Sequence, residues 1–125
     1  MRVLLDTHIF LWAVQGSASL KPRARRLMDA ADQVFVSAAS IWEVAVKGRL
    51  GKIDANAEEL VAAIEEGGFR ELPVSAAHAA AVGELPLLHT DPFDRLLVAQ
   101  ALVEPLKLLT VDRVLAQYGT LVVVV

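Results

Sequence analysis

Five short apolar runs set the terms for this chain: Arg2–Leu5, Val34–Ser37, Arg70–Leu72, Lys107–Thr110 and Leu121–Val125. They are rich in Val and Leu and nearly continuous, the pattern of strands buried on both faces of a parallel sheet. Parallel strands need long crossovers, usually helical, and the stretches between the runs supply them. Ser19 reads as the cap of a helix with Pro22 in its first turn, reaching about Ala31. Ala38–Arg49 is a second helix, ended by Leu50-Gly51. Asn56 reads as the cap of Ala57–Glu66, which stops at Gly67-Gly68. Ser75 caps Ala76–Glu84, Asp91 caps Pro92–Val103, and a short helix over Arg113–Tyr118 ends at Gly119. The order predicts an α/β sandwich with a mostly parallel central sheet, in one domain spanning residues 1–125. The terminal Val122–Val125 is an aggregation hazard if exposed, so it is expected to pair within the sheet.

A chain of 125 residues with 55% hydrophobic content is long enough to bury a core and too apolar for disorder. The longest uninterrupted apolar run, Ile9–Val14, is far shorter than the ~20 residues of a membrane span. Asp6 and His8 break the N-terminal apolar stretch, unlike a secretory signal, so a cytoplasmic location without a membrane is expected. No cysteine is present, which removes disulfides, thiolate nucleophiles and thiolate-bound zinc. The formal net charge is −3, whereas a protein gripping nucleic acid over a long surface is normally basic. The local basic stretch Lys21, Arg23, Arg25 and Arg26 reads first as a solvated helix face.

Against this background four carboxylates stand out. Asp6 ends the run Val3-Leu4-Leu5, and Asp112 follows Leu108-Leu109-Thr110-Val111. Glu43 sits among Ile41, Trp42, Val44, Ala45 and Val46, and Asp94 lies in Asp91-Pro92-Phe93-Asp94. Each has a plain structural reading. Asp6 and Asp112 can cap the helices that follow them, and Glu43 can pair with Lys47 at i,i+4. Asp91 and Asp94 suit the start of a helix with Pro at its first position. Yet Ser, Thr or Asn would cap as well, and sites in open α/β sheets form beyond the carboxyl ends of the strands. There, like charges about 4 Å apart cost on the order of 4 kcal/mol at an effective dielectric of about 20. A hard divalent cation such as Mg²⁺ or Mn²⁺ relieves that repulsion and also polarises a phosphate. Thr7, Ser40 and Thr110 are small hydroxyls close to these acids in sequence. His89 lies just before the Asp91–Asp94 turn, His8 and His78 read as surface and packing residues, and Trp12 and Trp42 as core or interface. Phosphate-binding and dinucleotide glycine motifs and the serine-hydrolase elbow are absent.

The chain resembles the PIN-domain ribonucleases, and among them the VapC-type toxins of toxin–antitoxin pairs. Four blocks in order carry the resemblance: Leu4-Leu5-Asp6-Thr7-His8 with Leu11-Trp12; Ser37-x-x-Ser40-Ile41-Trp42-Glu43-Val44-Ala45-x-Lys47 with Leu50-Gly51-Lys52-Ile53; Leu85-Pro86 with Asp91-Pro92-Phe93-Asp94-Arg95-Leu96-Leu97-Val98-Ala99-Gln100-Ala101; and Leu108-Leu109-Thr110-Val111-Asp112. The resemblance implies a three-layer α/β/α sandwich with the acids at one sheet edge. It implies Mg²⁺- or Mn²⁺-dependent hydrolysis of RNA phosphodiester bonds, with Asp6, Glu43, Asp94 and Asp112 as catalytic, metal-binding acids and one carboxylate accepting a proton. Thr7, Ser40, Asp91 and Thr110 are supporting residues. It further implies a small antitoxin partner lying across the site and a homodimer, with Phe10, Leu11 and Trp12 as groove residues. Two rival readings stand beside this one: a metal-dependent phosphatase or DNA nuclease, and a non-catalytic binding module in which the acids are only caps.

Overall fold

The most apolar run takes the most buried place. In the computed structural model, which describes all residues from Met1 to Val125, β1 (Arg2–Leu5) lies at the centre of the sheet. It pairs in parallel with β2 (Gln33–Ser37) on one side and β4 (Lys107–Thr110) on the other. β3 (Arg70–Leu72) flanks β2 and β5 (Val122–Val124) flanks β4, giving the order β3-β2-β1-β4-β5, parallel throughout. Val3, Leu4, Leu5, Leu108 and Leu109 have no exposed surface, whereas the edge strand β3 buries only Leu72. All five strands fall within a residue of the runs read from sequence.

Successive side chains of a strand point to opposite faces, and here they feed two cores. Val3, Leu5, Val36 and Leu109 meet α1 (Thr7–Gln15), α2 (Pro22–Ala30) and α4 (Ala57–Glu66) through Phe10, Ala24, Met28, Leu60 and Ile64. Leu4, Leu108 and Val122 face the other way, onto Leu97, Val98 and Ala101 of α6 (Pro92–Val103) and Leu115 of a 3₁₀ helix (Arg113–Tyr118). α5 (Ala76–Val82) packs on α6. Two helical layers therefore enclose the sheet, and the fold is the three-layer α/β/α sandwich. Truncating a core residue such as Leu4 or Leu97 to Ala costs roughly 2–5 kcal/mol in a packed interior. α3 (Ala38–Arg49) belongs to neither layer alone: Ala39 joins one core and Val44 the other. It crosses the carboxyl edge of the sheet and touches α1, α4 and α6.

Three local expectations change. Ser19 is not a cap. The chain leaves α1 through Gly16, whose φ of 63° suits glycine, and turns at Ser17, whose Oγ accepts from the Ser19 N–H. α2 then begins at Pro22 with Lys21 at its N-cap and no side-chain cap bond; proline suits that position because it lacks the N–H a cap would satisfy. α5 ends at Val82, two residues short of Glu84. In the basic stretch, Lys21 and Arg23 donate to the carbonyls of Val125 and Val124, so two of its four cations tie down the edge strand.

Candidate active site

The strand order reverses between β1 and β4: from β1 the chain builds outward through β2 and β3, then returns to β4 on the other side. Such a switch point opens a crevice at the carboxyl ends of the two central strands. Asp6 leaves β1 there, Thr110 and Asp112 leave β4 there, and α3 and the start of α6 close over them.

Asp6, Asp91 and Asp112 each cap a helix with one oxygen and turn the other toward a second group at this edge. Asp6 Oδ1 accepts the Ile9 N–H at 2.9 Å and caps α1, while Oδ2 accepts the Thr110 hydroxyl at 2.5 Å. Asp91 Oδ1 accepts the N–H groups of Phe93 and Asp94 and caps α6, while Oδ2 faces Lys47 at 3.0 Å. Asp112 Oδ1 accepts the Val114 N–H, and its Oδ2 lies 2.9 Å from His89 Nε2. Thr110 links two of the acids, since its oxygen also accepts the Asp112 N–H at 3.0 Å. Helix N-termini favour negative charge, so these caps hold carboxylates in place as well as starting helices.

Glu43 reaches the same edge from α3 and is 2% exposed. Its Oε1 accepts the Thr7 hydroxyl at 2.5 Å, and Thr7 Oγ1 lies 2.9 Å from Ser40 Oγ. One hydroxyl carries one proton, so Thr7 donates to the carboxylate and Ser40 donates to Thr7. The other Glu43 oxygen meets Lys47 Nζ at 2.5 Å. The expected i,i+4 pair thus forms in a half-buried setting, where Lys47 also joins Asp91. Burial acts to lower the Lys47 ammonium, but its bonds to Glu43 and Asp91 outweigh that and raise it. For Asp91 burial acts upward, and the Lys47 bond together with two backbone N–H groups hold it below the usual carboxylate range.

Asp94 is the exception. Its side chain accepts no hydrogen bond from protein; the basic group nearest to it is His89 Nε2 at 3.5 Å. Burial, then the negative charges of Asp91, Glu43 and Asp6, push its carboxyl up to about 7, against a smaller opposing influence from His89. Asp6 is raised as well, mainly by burial, despite the bonds from Thr110 and Ile9. Burial is the larger cause for both, and neighbouring carboxylates add to it, most for Asp94.

His89, Asp94 and Asp112 bring one ligand-type atom each within 4.8 Å of one another. His89 is nonetheless a donor rather than a ligand in this arrangement. Its Nδ1 accepts the Asp91 N–H at 3.0 Å, which places the ring proton on Nε2. The donor set offered to an ion is therefore carboxylate oxygen, the chemistry of Mg²⁺ or Mn²⁺ and a poor match for tetrahedral zinc. Sequence reasoning gave His89 a weak role; its signal was a position two residues before a helix-capping Asp.

The structure brings together every acid singled out by sequence, with Thr7 and Thr110 as hydrogen-bond partners of Glu43 and Asp6 and Ser40 bonded to Thr7. Other residues lie elsewhere. Phe10 is wholly buried in the core and cannot line a groove; Leu11 and Trp12 border a shallow cleft with His8, Lys52 and Asp54. His78 is buried, completes a capping box with Ser75 and bonds Glu104, as a packing residue should. The largest cavity, about 810 Å³ between α2, α4 and the starts of β2 and β3, contains none of the clustered acids.

Solved structures with the same fold include VapBC2 from Rickettsia felis bound to a DNA fragment from its promoter. It is 16% identical, with a TM-score of 0.68 over all of this chain and 98% of that one. A toxin–antitoxin complex from Klebsiella pneumoniae is 20% identical, with a TM-score of 0.67 over 97% and 95% of the two chains. FitAcB from Neisseria gonorrhoeae is 19% identical, with a TM-score of 0.59 over 90% and 88%. No curated protein matches by sequence. A model of the PIN domain matches residues 3–121, a span that takes in β1 through the 3₁₀ helix and every acid of the cluster, and the chain belongs to that family.

Proposed function

We propose that this protein is a divalent-metal-dependent endoribonuclease acting as the toxin of a toxin–antitoxin pair. The observation that carries the reading is Asp94, a carboxylate without a hydrogen-bond donor among four other acids at the switch point of the sheet. A set of caps alone would have no reason to keep an uncompensated charge there.

Asp6, Glu43, Asp94 and Asp112 are the residues that would hold the ion. When bound, Mg²⁺ or Mn²⁺ supplies a Lewis acid that polarises a phosphodiester and lowers the pKa of water. The chain's own contribution is orientation. Thr110 fixes Asp6 and the backbone before Asp112, Thr7 and Ser40 fix Glu43, and His89 fixes Asp112. Partners that hold such ligands commonly matter tenfold to a hundredfold in metal affinity.

Family membership supports nuclease chemistry, and two of the structural neighbours named above support an antitoxin partner. RNA as substrate and a cytoplasmic setting are part of the proposal; no helix is long and apolar enough to cross a membrane. A homodimer is supported by the stripe of Trp42 and Val46 on α3 and Leu50 at its C-cap, 56%, 38% and 63% exposed at i, i+4 and i+8. Cleavage of a mixed RNA pool by purified protein with Mn²⁺ tests the central reading. Single- and double-stranded DNA and a phosphomonoester serve as competing substrates. Cleavage of RNA alone, abolished by EDTA, is expected. Undiminished activity in EDTA overturns metal dependence, and preference for DNA or the monoester moves the protein to the rival class.

A further inference from the structure

Lys47 is the permanent cation inside the acid cluster. It lies one helical turn after Glu43 on α3, with Nζ 2.5 Å from Glu43 Oε2 and 3.0 Å from Asp91 Oδ2. These two carboxylates belong to different helices, α3 and α6. The side chain is 24% exposed, and Nζ also stands 5.5 Å from the centre of the Phe93 ring. Phe93 is in turn held edge-on by Trp42 at 4.6 Å. An ammonium fixed by two carboxylates and an aromatic face is not a mobile surface lysine.

Its position divides the acids. Glu43 and Asp91 already share a positive centre, as two carboxylates do when they bridge a divalent ion. Asp94 and Asp112 share none: Asp94 lacks a hydrogen-bond donor, and Asp112 has only His89 and a backbone N–H. Nucleases that use two ions hold them about 3.5–4 Å apart, on opposite sides of the reacting phosphate. A fixed ammonium beside Glu43 repels any dication entering that half of the cluster.

We propose that Lys47 takes the place of a second divalent ion, so that the site binds one ion on the Asp6, Asp94 and Asp112 side and relies on the ammonium for its other positive charge. The inference rests on the nuclease reading and sharpens it, since Glu43 becomes the anchor of Lys47 more than a ligand. Lys47 is then a positioning and charge-supplying residue of the site.

Calorimetric titration with Mn²⁺ tests this on the whole chain, with circular dichroism to confirm folding. Wild-type protein is expected to bind one Mn²⁺. Lys47→Met frees Glu43 Oε2 and Asp91 Oδ2, and is expected to bind two, the first on the order of tenfold more tightly for loss of a like charge. Lys47→Arg keeps the charge and is expected to bind one. Lys47→Gln serves as a second neutral variant should Lys47→Met fold poorly, and the wild-type stoichiometry stands whether or not either variant folds. Two ions in the wild type, or one ion at unchanged affinity in a folded neutral variant, overturns the inference and leaves the nuclease reading intact. No uptake by the wild type overturns both.

Discussion

Two polar regions of this molecule differ in how completely the chain itself satisfies them. On the α5–α6 side, Ser37 Oγ donates to Gln100 Oε1 at 2.5 Å, and Gln100 Nε2 donates to the Pro73 carbonyl. His78 accepts the Ser75 N–H on Nδ1 and donates from Nε2 to Glu104 at 2.6 Å. Every group there has a partner, and its one acid faces one imidazole. At the carboxyl edge of the sheet, five acids face one ammonium, and Asp94 has no donor. A satisfied network fixes a fold; Asp94, 22% exposed and without a donor from its own chain, is open to a group from outside it. The contrast sets a closed polar network beside an open one, and the open one is where the proposed chemistry belongs.

The comparison breaks most sharply at Asp6. Asp6→Asn keeps the cap on Ile9 and removes a charge from the cluster. RNA cleavage is expected to fall on the order of a hundredfold or more, the scale of losing one preorganised electrostatic contact, with the circular dichroism spectrum unchanged. Wild-type turnover in a folded Asp6→Asn protein would reduce the edge to a row of caps. Next in size is Thr110→Val, which takes the hydroxyl from both Asp6 and the Asp112 N–H. Mn²⁺ affinity measured by calorimetry is expected to weaken about tenfold to a hundredfold, with a smaller effect on thermal stability.

Gln100→Leu probes the other region. It leaves the Ser37 hydroxyl proton and the Pro73 carbonyl without their partner, a loss of about 1–3 kcal/mol in urea unfolding. Mn²⁺ affinity is expected to stay at the wild-type value. A large loss of affinity at full folding would show that the two regions are coupled through Ser37, which caps α3, and that the division drawn above is false.

Much of this division was legible in sequence. The strands were, because burial on both faces leaves a local signature in Val3-Leu4-Leu5 and Leu108-Leu109. The aspartates were, because they fall where apolar runs end or helices begin, and Glu43 was, because it interrupts an apolar helical stretch. What sequence did not show was pairing across long separations. Lys47 has a local partner in Glu43 that helical spacing reveals, but its second partner, Asp91, is fixed only when α3 crosses the start of α6. His89 reaches Asp112 only through the path of the loop before Asp91. Ser19 failed as a cap because α2 starts only at Pro22, which puts Lys21 and not Ser19 at the N-cap position. Phe10 and Leu11 were ambiguous for a different reason: an apolar helix start reads alike whether it faces a core or a partner.

The smallest effect is also the most diagnostic, because its sign runs against ordinary expectation for a mutation in a site. Asp94 has its carboxyl raised to about 7 in the folded protein, against 3.8 for an unperturbed aspartate. The folded state therefore holds this proton more tightly than the unfolded chain, and between these values stability falls as pH rises. Below about pH 4 both states are protonated and the penalty is absent; above about pH 7 it is fully present. Asp94→Asn removes the charge and keeps the shape. Without metal at pH 8, the variant is expected to be more stable than wild type by about 1–2 kcal/mol after screening, and the gain should vanish near pH 4. Mn²⁺ should reverse the ranking at pH 8, since ion binding stabilises only the protein that can bind it. Ion uptake by the wild type below pH 7 should release protons, its affinity rising with pH towards a plateau above 7. Thermal melts of both proteins at pH 4 and pH 8, with and without Mn²⁺, check the three stability expectations, and calorimetric Mn²⁺ titration at pH values on either side of 7 checks the fourth. An Asp94→Asn protein that is less stable at pH 8 without metal would mean that Asp94 is compensated within the chain, and the contrast between the two regions would then lose its main support.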